Sequence, residues 1–283
     1  MASLSQKKVI DTIYQELPTN ADAWKVLGFL NQNNNIMAFG SDSKIIGRLF
    51  EVVITPYLKE VAKKLTCTLG ESTSQTVYPD FWLKQTNGRL IAIDIKSTYR
   101  KITKKGEVSK FNFTLGAYSS FLRNGTKNIY DSYANYDFHI IIGFVYTRNC
   151  NATPGITPLT NRKNVIPAYQ DVQFFVQEKY KIGGQHKGSG NTNNIATIKS
   201  NTIDNFKNGN SVFTYLGEDA FEQYWSNYPL YTDDKQTKAN LYTDLEGFFS
   251  WLNRNGQGNK AQKYRVIYDK WVECNQKDTS LSL

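Results

Sequence analysis

The chain has 283 residues, a length that allows one large domain or two small ones, each with a substantial core. Its formal charge of +9 and isoelectric point near 9.2 favour a polyanionic partner. The longest apolar run, near residues 140–146, is far too short to span a bilayer, and the first residues lack an apolar signal segment. We therefore expect a cytoplasmic protein without membrane contact, whose three cysteines are free thiols. These cysteines and the two histidines lack zinc-site spacing, so any metal is expected to have oxygen ligands.

The amino-terminal region predicts a helix followed by a mixed segment. Apolar residues at helical spacing indicate an amphipathic helix over residues 4–16. Residues 18–39 combine aromatic side chains with a polar turn at 31–35, a pattern that fits an ordinary helix and hairpin packed on the core.

A second helix is expected to begin after Ser41 and Asp42, which are both good N-cap residues. Pro56 is expected to kink or restart this helix. Glu51 lies within the apolar stretch of the helix, where an acid is either a surface residue or a ligand directed at a site.

Residues 78–96 predict a β-hairpin, because two runs rich in apolar and aromatic residues flank an Asn-Gly dipeptide. A two-residue turn would place Asp80 and Asp94 on opposite faces of the hairpin. A three-residue turn that ends at a left-handed Gly88 would set Asp80 directly opposite Asp94, with Lys96 further along the same face. Only the three-residue turn brings the charged residues together.

Two carboxylates that face each other about 5 Å apart repel unless a cation lies between them. Mg²⁺ suits such oxygen ligands, and Lys96 adds a second positive charge. Charges in the apolar run 90–96 cost several kcal/mol unless they are paired or bind metal. Phosphodiester hydrolysis would use this group, since carboxylate-held Mg²⁺ activates water and neutralises phosphate charge. The alternative is a solvated strand face without a site, and spacing alone does not decide between them.

The rest of the chain predicts further strands, loops and helices. Residues 136–146 and 172–176 are typical of strands, and residues 149–167 predict an irregular segment. The glycine- and asparagine-rich run 183–194 is either a flexible loop or a reader of DNA bases. Residues 243–246 resemble a capping box that opens a helix, and a further amphipathic segment covers about 260–273.

Tyr-Pro-Asp at 78–80 and Ile-Ala-Ile-Asp-Ile-Lys at 91–96 together resemble the PD-(D/E)XK nuclease core. More specifically, the chain resembles the EcoRV-like type II restriction endonucleases over about residues 39–229, in order. The segments that carry this resemblance include residues 39–44, 50–51, 113–116, 121–124, 126–129, 146–148 and 188–192.

The resemblance implies a mixed α/β fold, a restriction-endonuclease-like core whose central mixed, mostly antiparallel sheet is flanked by helices. Because no linker-like change of composition divides the chain, we expect one nuclease domain over 1–283. The resemblance implies a dimerisation part at 1–39 and a catalytic and DNA-recognition core at 40–229, and the residues beyond it predict a helical extension at 230–283.

The same resemblance implies a homodimer that clamps duplex DNA and cuts GATATC at its centre in a Mg²⁺-dependent reaction, leaving blunt ends. A cognate methyltransferase would act on the same site without needing to bind the enzyme. Two alternatives stay open: a structure-specific repair or junction-resolving nuclease, and a catalytically inactive, sequence-specific DNA-binding protein.

Site residues follow from the resemblance as well. Asp80, Asp94 and Glu51 would hold metal, and Lys96 would assist the attacking water. Residues expected to contact DNA are Gly188, Ser189, Gly190, Asn191, Thr192, Asn194, Gln75, Ser43, Lys44, Thr114, Ser120, Lys127 and Arg148. Asn193 departs from the pattern of the family, which has threonine there.

Overall fold

The computed structural model describes residues 3–74, 76–188, 193–230, 233 and 242–280, without the side chains of 276–280. The chain forms two compact units, each built from three segments. The first contains residues 1–111, 136–176 and 200–207, and the second contains residues 112–135, 177–199 and 208–283. The assignment of one domain with parts 1–39, 40–229 and 230–283 stays a prediction.

The helices of the described residues are α1 (Gln6–Glu16), α2 (Ser43–Lys64), α3 (Phe121–Asn124), α4 (Asp204–Lys207), α5 (Phe213–Leu216), α6 (Glu218–Ser226), α7 (Leu245–Arg254) and α8 (Gly258–Ser280). The strands are β1 (Phe29–Leu30), β2 (Asn35–Ala38), β3 (Thr68–Glu71), β4 (Phe81–Lys84), β5 (Leu90–Arg100), β6 (Thr114–Ala117), β7 (Tyr136–Arg148), β8 (Gly155–Pro158), β9 (Tyr169–Glu178), β10 (Gly183–Lys187) and β11 (Asn194–Thr197). The helix predicted at 4–16 and the strands predicted at 136–146 and 172–176 are confirmed.

The central sheet of the first unit has the strand order β3-β4-β5-β7-β9. Strand β4 is antiparallel to β3 and β5, whereas β5 is parallel to β7, so the sheet is mixed, as predicted. Helix α2 packs on this sheet through fully buried residues such as Phe50, whose ring stacks on Phe144 of β7 with centroids 4.4 Å apart. This packing holds α2 beside the hairpin β4–β5.

Pro56 lies inside α2 and does not restart it. Proline removes one backbone hydrogen bond, at a cost of about 3 kcal/mol in a helix interior. Ile54 and Leu58, on either side of Pro56, are fully buried in the core. Burial of such side chains contributes about 1.5–3 kcal/mol each, which is enough to carry the helix through the proline.

The segment 149–167 is more regular than predicted. Strand β8 pairs with β2 in the sheet β1-β2-β8, and residues Leu159–Asn164 form a 3₁₀ helix. The β-branched pair Ile156 and Thr157 suits an added strand, while Pro158 ends it. Local composition concealed this strand because its partner lies far away in the sequence.

The second unit contains the sheet β10-β11-β6 and the carboxy-terminal helices. Phe221, Tyr224 and Trp225 of α6 are buried, as helical spacing predicts. Helix α7 forms where expected, but its N-cap is Asp244, whose side chain accepts a hydrogen bond from Gly247 N–H at 2.7 Å. The helix therefore begins one residue later than the predicted capping box requires, and with Gly247 at the N3 position that box does not form.

Helices of the described residues are all too short or too polar to cross a membrane. Cys67, Cys150 and Cys274 carry free thiols, as predicted.

Candidate active site

The hairpin β4–β5 adopts the register that a three-residue turn requires. Phe81 lies opposite Ile93, and Gly88 closes the turn with φ of 85°. Continued by one residue, this ladder sets Asp80 opposite Asp94. The predicted register is confirmed, and the two-residue turn is excluded.

Asp80, Asp94 and Lys96 form one cluster at the end of this hairpin. The Oδ2 atom of Asp80 accepts a hydrogen bond from Ile95 N–H at 2.7 Å. The Oδ2 atom of Asp94 lies 2.8 Å from Nζ of Lys96, and the Asp94 side chain is only 4% exposed. The cluster therefore contains two carboxylates and one ammonium group, and it is largely buried.

Burial and the neighbouring Asp94 raise the pKa of the Asp80 carboxyl to about 8, although Lys96 and the Ile95 N–H act in the opposite direction. Burial acts to lower the pKa of Lys96, but the charges of Asp94 and Asp80 outweigh it and raise that pKa above its ordinary value. Lys96 is thus an ammonium group at neutral pH. One lysine does not fully compensate the two aspartates, which is the electrostatic condition for a bound cation.

Glu51 points from α2 toward the same end of the sheet, where its charge contributes to the raised pKa of both Asp80 and Lys96. Its Oε2 atom forms an ion pair with NH1 of Arg48, one helical turn earlier. The NH2 atom of Arg48 lies 4.0 Å from Oε1 of Glu71, the last residue of β3. Arg48 and Glu71 are members of the cluster that the sequence analysis missed.

A divalent cation fits the donor set of Asp80 and Asp94, because both supply hard carboxylate oxygens and repel each other without it. Glu51 does not join Asp80 and Asp94 in a set of three metal ligands. Across residues 3–74, 76–188, 193–230, 233 and 242–280, no three His, Cys, Asp or Glu side chains are close enough together to hold a metal. The expected third ligand is instead paired with Arg48.

Three of the predicted DNA-contacting residues lie in the first unit. Ser43 and Lys44 are exposed in the first turn of α2, where the positive charge of Lys44 favours an anion. The backbone N–H groups of Lys44 and Ile45 already donate to Oδ1 of Asp42. Arg148 ends β7 with its guanidinium 4.9 Å from the ring centre of Tyr99, and its NH2 donates to Ser41 Oγ at 3.3 Å. These contacts fix the orientation of Arg148.

Thr114, Ser120 and Lys127 lie in the second unit, as do Gly188 and Asn194 of the glycine- and asparagine-rich run. Thr114 and Lys127 are exposed, and Thr114 lines a cavity of about 550 Å³ beside β10 and β11. Ser120 is buried, and its hydroxyl donates to the carbonyl of Lys127 at 2.8 Å. The hydroxyl of Ser120 thus shapes the loop that presents Lys127.

The glycine- and asparagine-rich run is not wholly a loop, because its first residues form β10. Gly188 N–H donates to the carbonyl of Asn194 at 2.7 Å, which joins the two ends of the predicted recognition segment. Asn193 accepts hydrogen bonds from Tyr118, one at its backbone carbonyl and one at its side-chain oxygen. The predicted contact residues Gln75, Ser189, Gly190, Asn191 and Thr192 lie outside the described residues.

The carboxy-terminal extension contacts β10, the strand that leads into this segment. Oε1 of Gln185 accepts a hydrogen bond from Leu245 N–H at 3.3 Å, and Nδ1 of His186 lies 3.2 Å from the Thr243 carbonyl. Trp271 of α8 lines the cavity beside β10. Arg265 of α8 forms an ion pair with Glu246 of α7 at 2.7 Å. This part of the extension therefore packs on the second unit.

Comparison with known proteins identifies relatives of the chain. Residues 20–253 match the model of the family described as "Restriction endonuclease EcoRV". The chain is 36% identical to the type II restriction enzyme EcoRV of Escherichia coli over 250 residues, which cover 87% of this chain and 96% of that enzyme. A solved structure of NlaIV restriction endonuclease aligns over 97% of this chain and 90% of its own, with 10% identity. Its TM-score of 0.37 is too low to support a conclusion.

Proposed function

The chain belongs to the EcoRV restriction endonuclease family and is a type II site-specific deoxyribonuclease, and from this premise we propose that it cuts duplex DNA at GATATC. Cleavage falls at the centre of the site and leaves blunt ends. The observation that supports catalysis best is the buried pairing of Asp80 and Asp94 beside Lys96.

EcoRV-like PD-(D/E)XK nucleases depend on a divalent metal, and we propose Mg²⁺ as the ion of this enzyme. When bound, Mg²⁺ lowers the pKa of water and neutralises charge on the phosphate. Asp80 and Asp94 would hold it, because their carboxylates lie opposite each other and share too little positive charge. The Ile95 N–H fixes one oxygen of Asp80 and so orients this carboxylate.

Lys96 acts as a cation in this proposal. The adjacent carboxylates raise its pKa, so it holds a proton at neutral pH and donates hydrogen bonds. Placed 2.8 Å from Asp94, its ammonium group orients the attacking water and stabilises negative charge that develops on the phosphate. A role as proton acceptor is disfavoured by the same raised pKa.

Recognition of the target is assigned to residues 188–194. Glycine allows the backbone to approach base edges, and asparagine can form paired hydrogen bonds with adenine in the major groove. Support comes from the hydrogen bond between Gly188 and Asn194, which joins the two ends of the segment. Ser43, Lys44, Lys127 and Arg148 would contact phosphates, and Gln75 and Thr114 would lie at the DNA surface. Ser120 is buried, so it would act through the loop that presents Lys127.

The active form is a homodimer, with one active site for each strand of the palindrome. Support comes from the sheet β1-β2-β8, in which Phe29 lies opposite Met37 and Met37 lies opposite Ile156. These side chains form a row on one face and are 55%, 46% and 68% exposed. A row of this kind suits burial against a second copy.

The enzyme would act in the cytoplasm, where incoming DNA meets it. Host DNA that carries the same sequence would then need protection, which a methyltransferase with the same specificity supplies without binding the nuclease.

The test uses a plasmid with a single GATATC site and a matched plasmid in which one base of that site is changed. Each is incubated with the protein in Mg²⁺ or in EDTA, and the ends of the products are sequenced. We expect one blunt cut between the central T and A of GATATC, only with Mg²⁺ and only in the first plasmid. Discrete cuts at another sequence would overturn the specificity but keep the nuclease.

A further inference from the structure

Arg48 lies between the carboxylates of Glu51 and Glu71, at the end of the sheet that carries the candidate active site. On α2 it pairs with Glu51, and across the gap to β3 it approaches Glu71 at 4.0 Å. Glu71 is the cross-strand neighbour of Phe81, and the next residue, Ser72, donates its N–H to the carbonyl of Asp80 at 3.0 Å. Arg48 therefore belongs to the electrostatic environment of Asp80.

The charges of this cluster indicate how many divalent cations are needed to neutralise it. Asp80, Asp94, Glu51 and Glu71 supply four carboxylates, and Lys96 and Arg48 supply two fixed positive charges. With all carboxylates ionised, two negative charges remain, which matches a single divalent ion. Without Arg48 three would remain, and a second ion would be favoured.

The ion pair between Arg48 and Glu51 is not strong enough to exclude a metal by itself. The Arg48 side chain is 49% exposed, and solvent screens an ion pair that is this exposed. What discourages a second ion is the position of the guanidinium charge, because a dication beside Glu51 would be repelled by a group already bound there.

We infer that Arg48 takes the place of a second metal ion beside Glu51, so that the site holds one divalent cation, at Asp80 and Asp94. This inference rests on the proposed metal site. It makes Arg48 a positioning residue, which orients Glu51 and limits the number of bound ions.

Titration of Mn²⁺ into the full-length protein tests this inference, with the bound ions counted by calorimetry and by the electron paramagnetic resonance signal of free Mn²⁺. The wild type is expected to bind one ion per chain and Arg48→Ala two, the second more weakly. Arg48→Lys retains the positive charge and should bind one. Arg48→Ala combined with Glu51→Gln should also return to one ion, because the additional site needs the Glu51 carboxylate.

Lys59→Ala is the matched control, since it removes a positive charge from an exposed position of the same helix. It should leave the count at one. Circular dichroism of each variant checks the fold, which the half-exposed Arg48 is not expected to determine. Two ions in the wild type, or one ion in Arg48→Ala, would overturn the inference.

Asp94→Asn separates this inference from the proposed function. Loss of the single ion in Asp94→Asn supports the metal site, whatever Arg48→Ala does. If the wild type binds one ion through Asp94 and Arg48→Ala still binds one, only the role of Arg48 is wrong. If the wild type binds none, the metal site fails and the inference fails with it.

Discussion

The Asp80 carboxylate and the Ile95 backbone N–H are joined by a hydrogen bond of 2.7 Å. Ile95 lies between Asp94 and Lys96 on β5. The hydrogen bond therefore holds the carboxylate of Asp80, the residue before β4, at the centre of the candidate site. A charge-assisted bond to a backbone donor favours the ionised carboxylate, whereas burial and Asp94 disfavour it. The Asp80 carboxylate is thus held in a fixed orientation, but the negative charge of Asp80 and Asp94 is not fully compensated.

Asp94→Asn should abolish cleavage while the protein still binds DNA. The substitution removes one candidate ligand and one negative charge near the DNA backbone, so binding should be unchanged or tighter. Loss of a preorganised group of this kind reduces catalysis by at least about a hundredfold. The measurement compares cleavage rates with Mg²⁺ and DNA affinity in EDTA, at one salt concentration.

Asp11→Asn serves as the control for Asp94→Asn, because Asp11 is a half-exposed carboxylate on α1. It should cut at the rate of the wild type. Cleavage by Asp94→Asn at that same rate would remove Asp94 from the active site.

The register of the hairpin was predictable because few physical solutions exist. A glycine at positive φ marks the turn, and of the two-residue and three-residue turns only the latter places Asp80 and Asp94 on the same face. The amphipathic helix α1 and the apolar strand β7 were predictable for a similar reason, since periodicity within one segment determines which face is buried.

Arg48 and Glu71 could not be assigned in the same way. Their meeting depends on how α2 packs against the end of β3, a contact between segments that carries no local pattern. The spacing of Arg48 and Glu51 at i, i+3 was visible in the sequence, but such pairs are common on helix surfaces. Likewise, β8 became a strand only through its pairing with β2.

Met37→Glu should convert the proposed homodimer to a monomer. Met37 is the middle residue of the exposed row that also contains Phe29 and Ile156, and a glutamate there would be buried without a partner in a dimer interface. Sedimentation velocity should show the mass of one chain for the variant and of two chains for the wild type. Double-strand cleavage should fall with the dimer.

Ile102→Glu is the comparison for Met37→Glu, because Ile102 is also exposed, at 55% against 46% for Met37, but lies outside the sheet β1-β2-β8. It should sediment as the wild type does. A dimer that survives Met37→Glu unchanged would move the interface elsewhere.

Gln185→Ala should loosen β10 without unfolding the second unit. The side chain of Gln185 accepts from Leu245 N–H and is hydrogen-bonded to the Tyr268 hydroxyl, and the variant loses both of these bonds. The backbone carbonyl of Gln185 still accepts from the Tyr224 hydroxyl at 2.6 Å. One such bond contributes about 1 kcal/mol. Hydrogen exchange followed by mass spectrometry should show faster exchange in residues 183–188 and at the start of α7.

Gln262→Ala, at an exposed position on α8, should leave exchange unchanged, and equal protection in both variants would exclude the role of Gln185.

Glu218→Gln should stabilise the protein at pH 8 and have little effect at pH 5. Burial, with the neighbouring charges of Glu222 and Glu178, raises the pKa of Glu218 from 4.5 to about 7. Between these values the folded state holds a proton that the unfolded state has lost, so the free energy of unfolding falls as pH rises through this range.

Above pH 7 the wild type bears the full cost of the charged Glu218, about 1–2 kcal/mol after allowance for its partial exposure. Glutamine does not ionise and avoids that cost. Urea denaturation of both proteins at pH 5 and pH 8 measures the difference, and Asp219→Asn, at the exposed neighbouring position, is the control. A gain in stability that is equal at both pH values would assign the effect to packing and not to ionisation of Glu218.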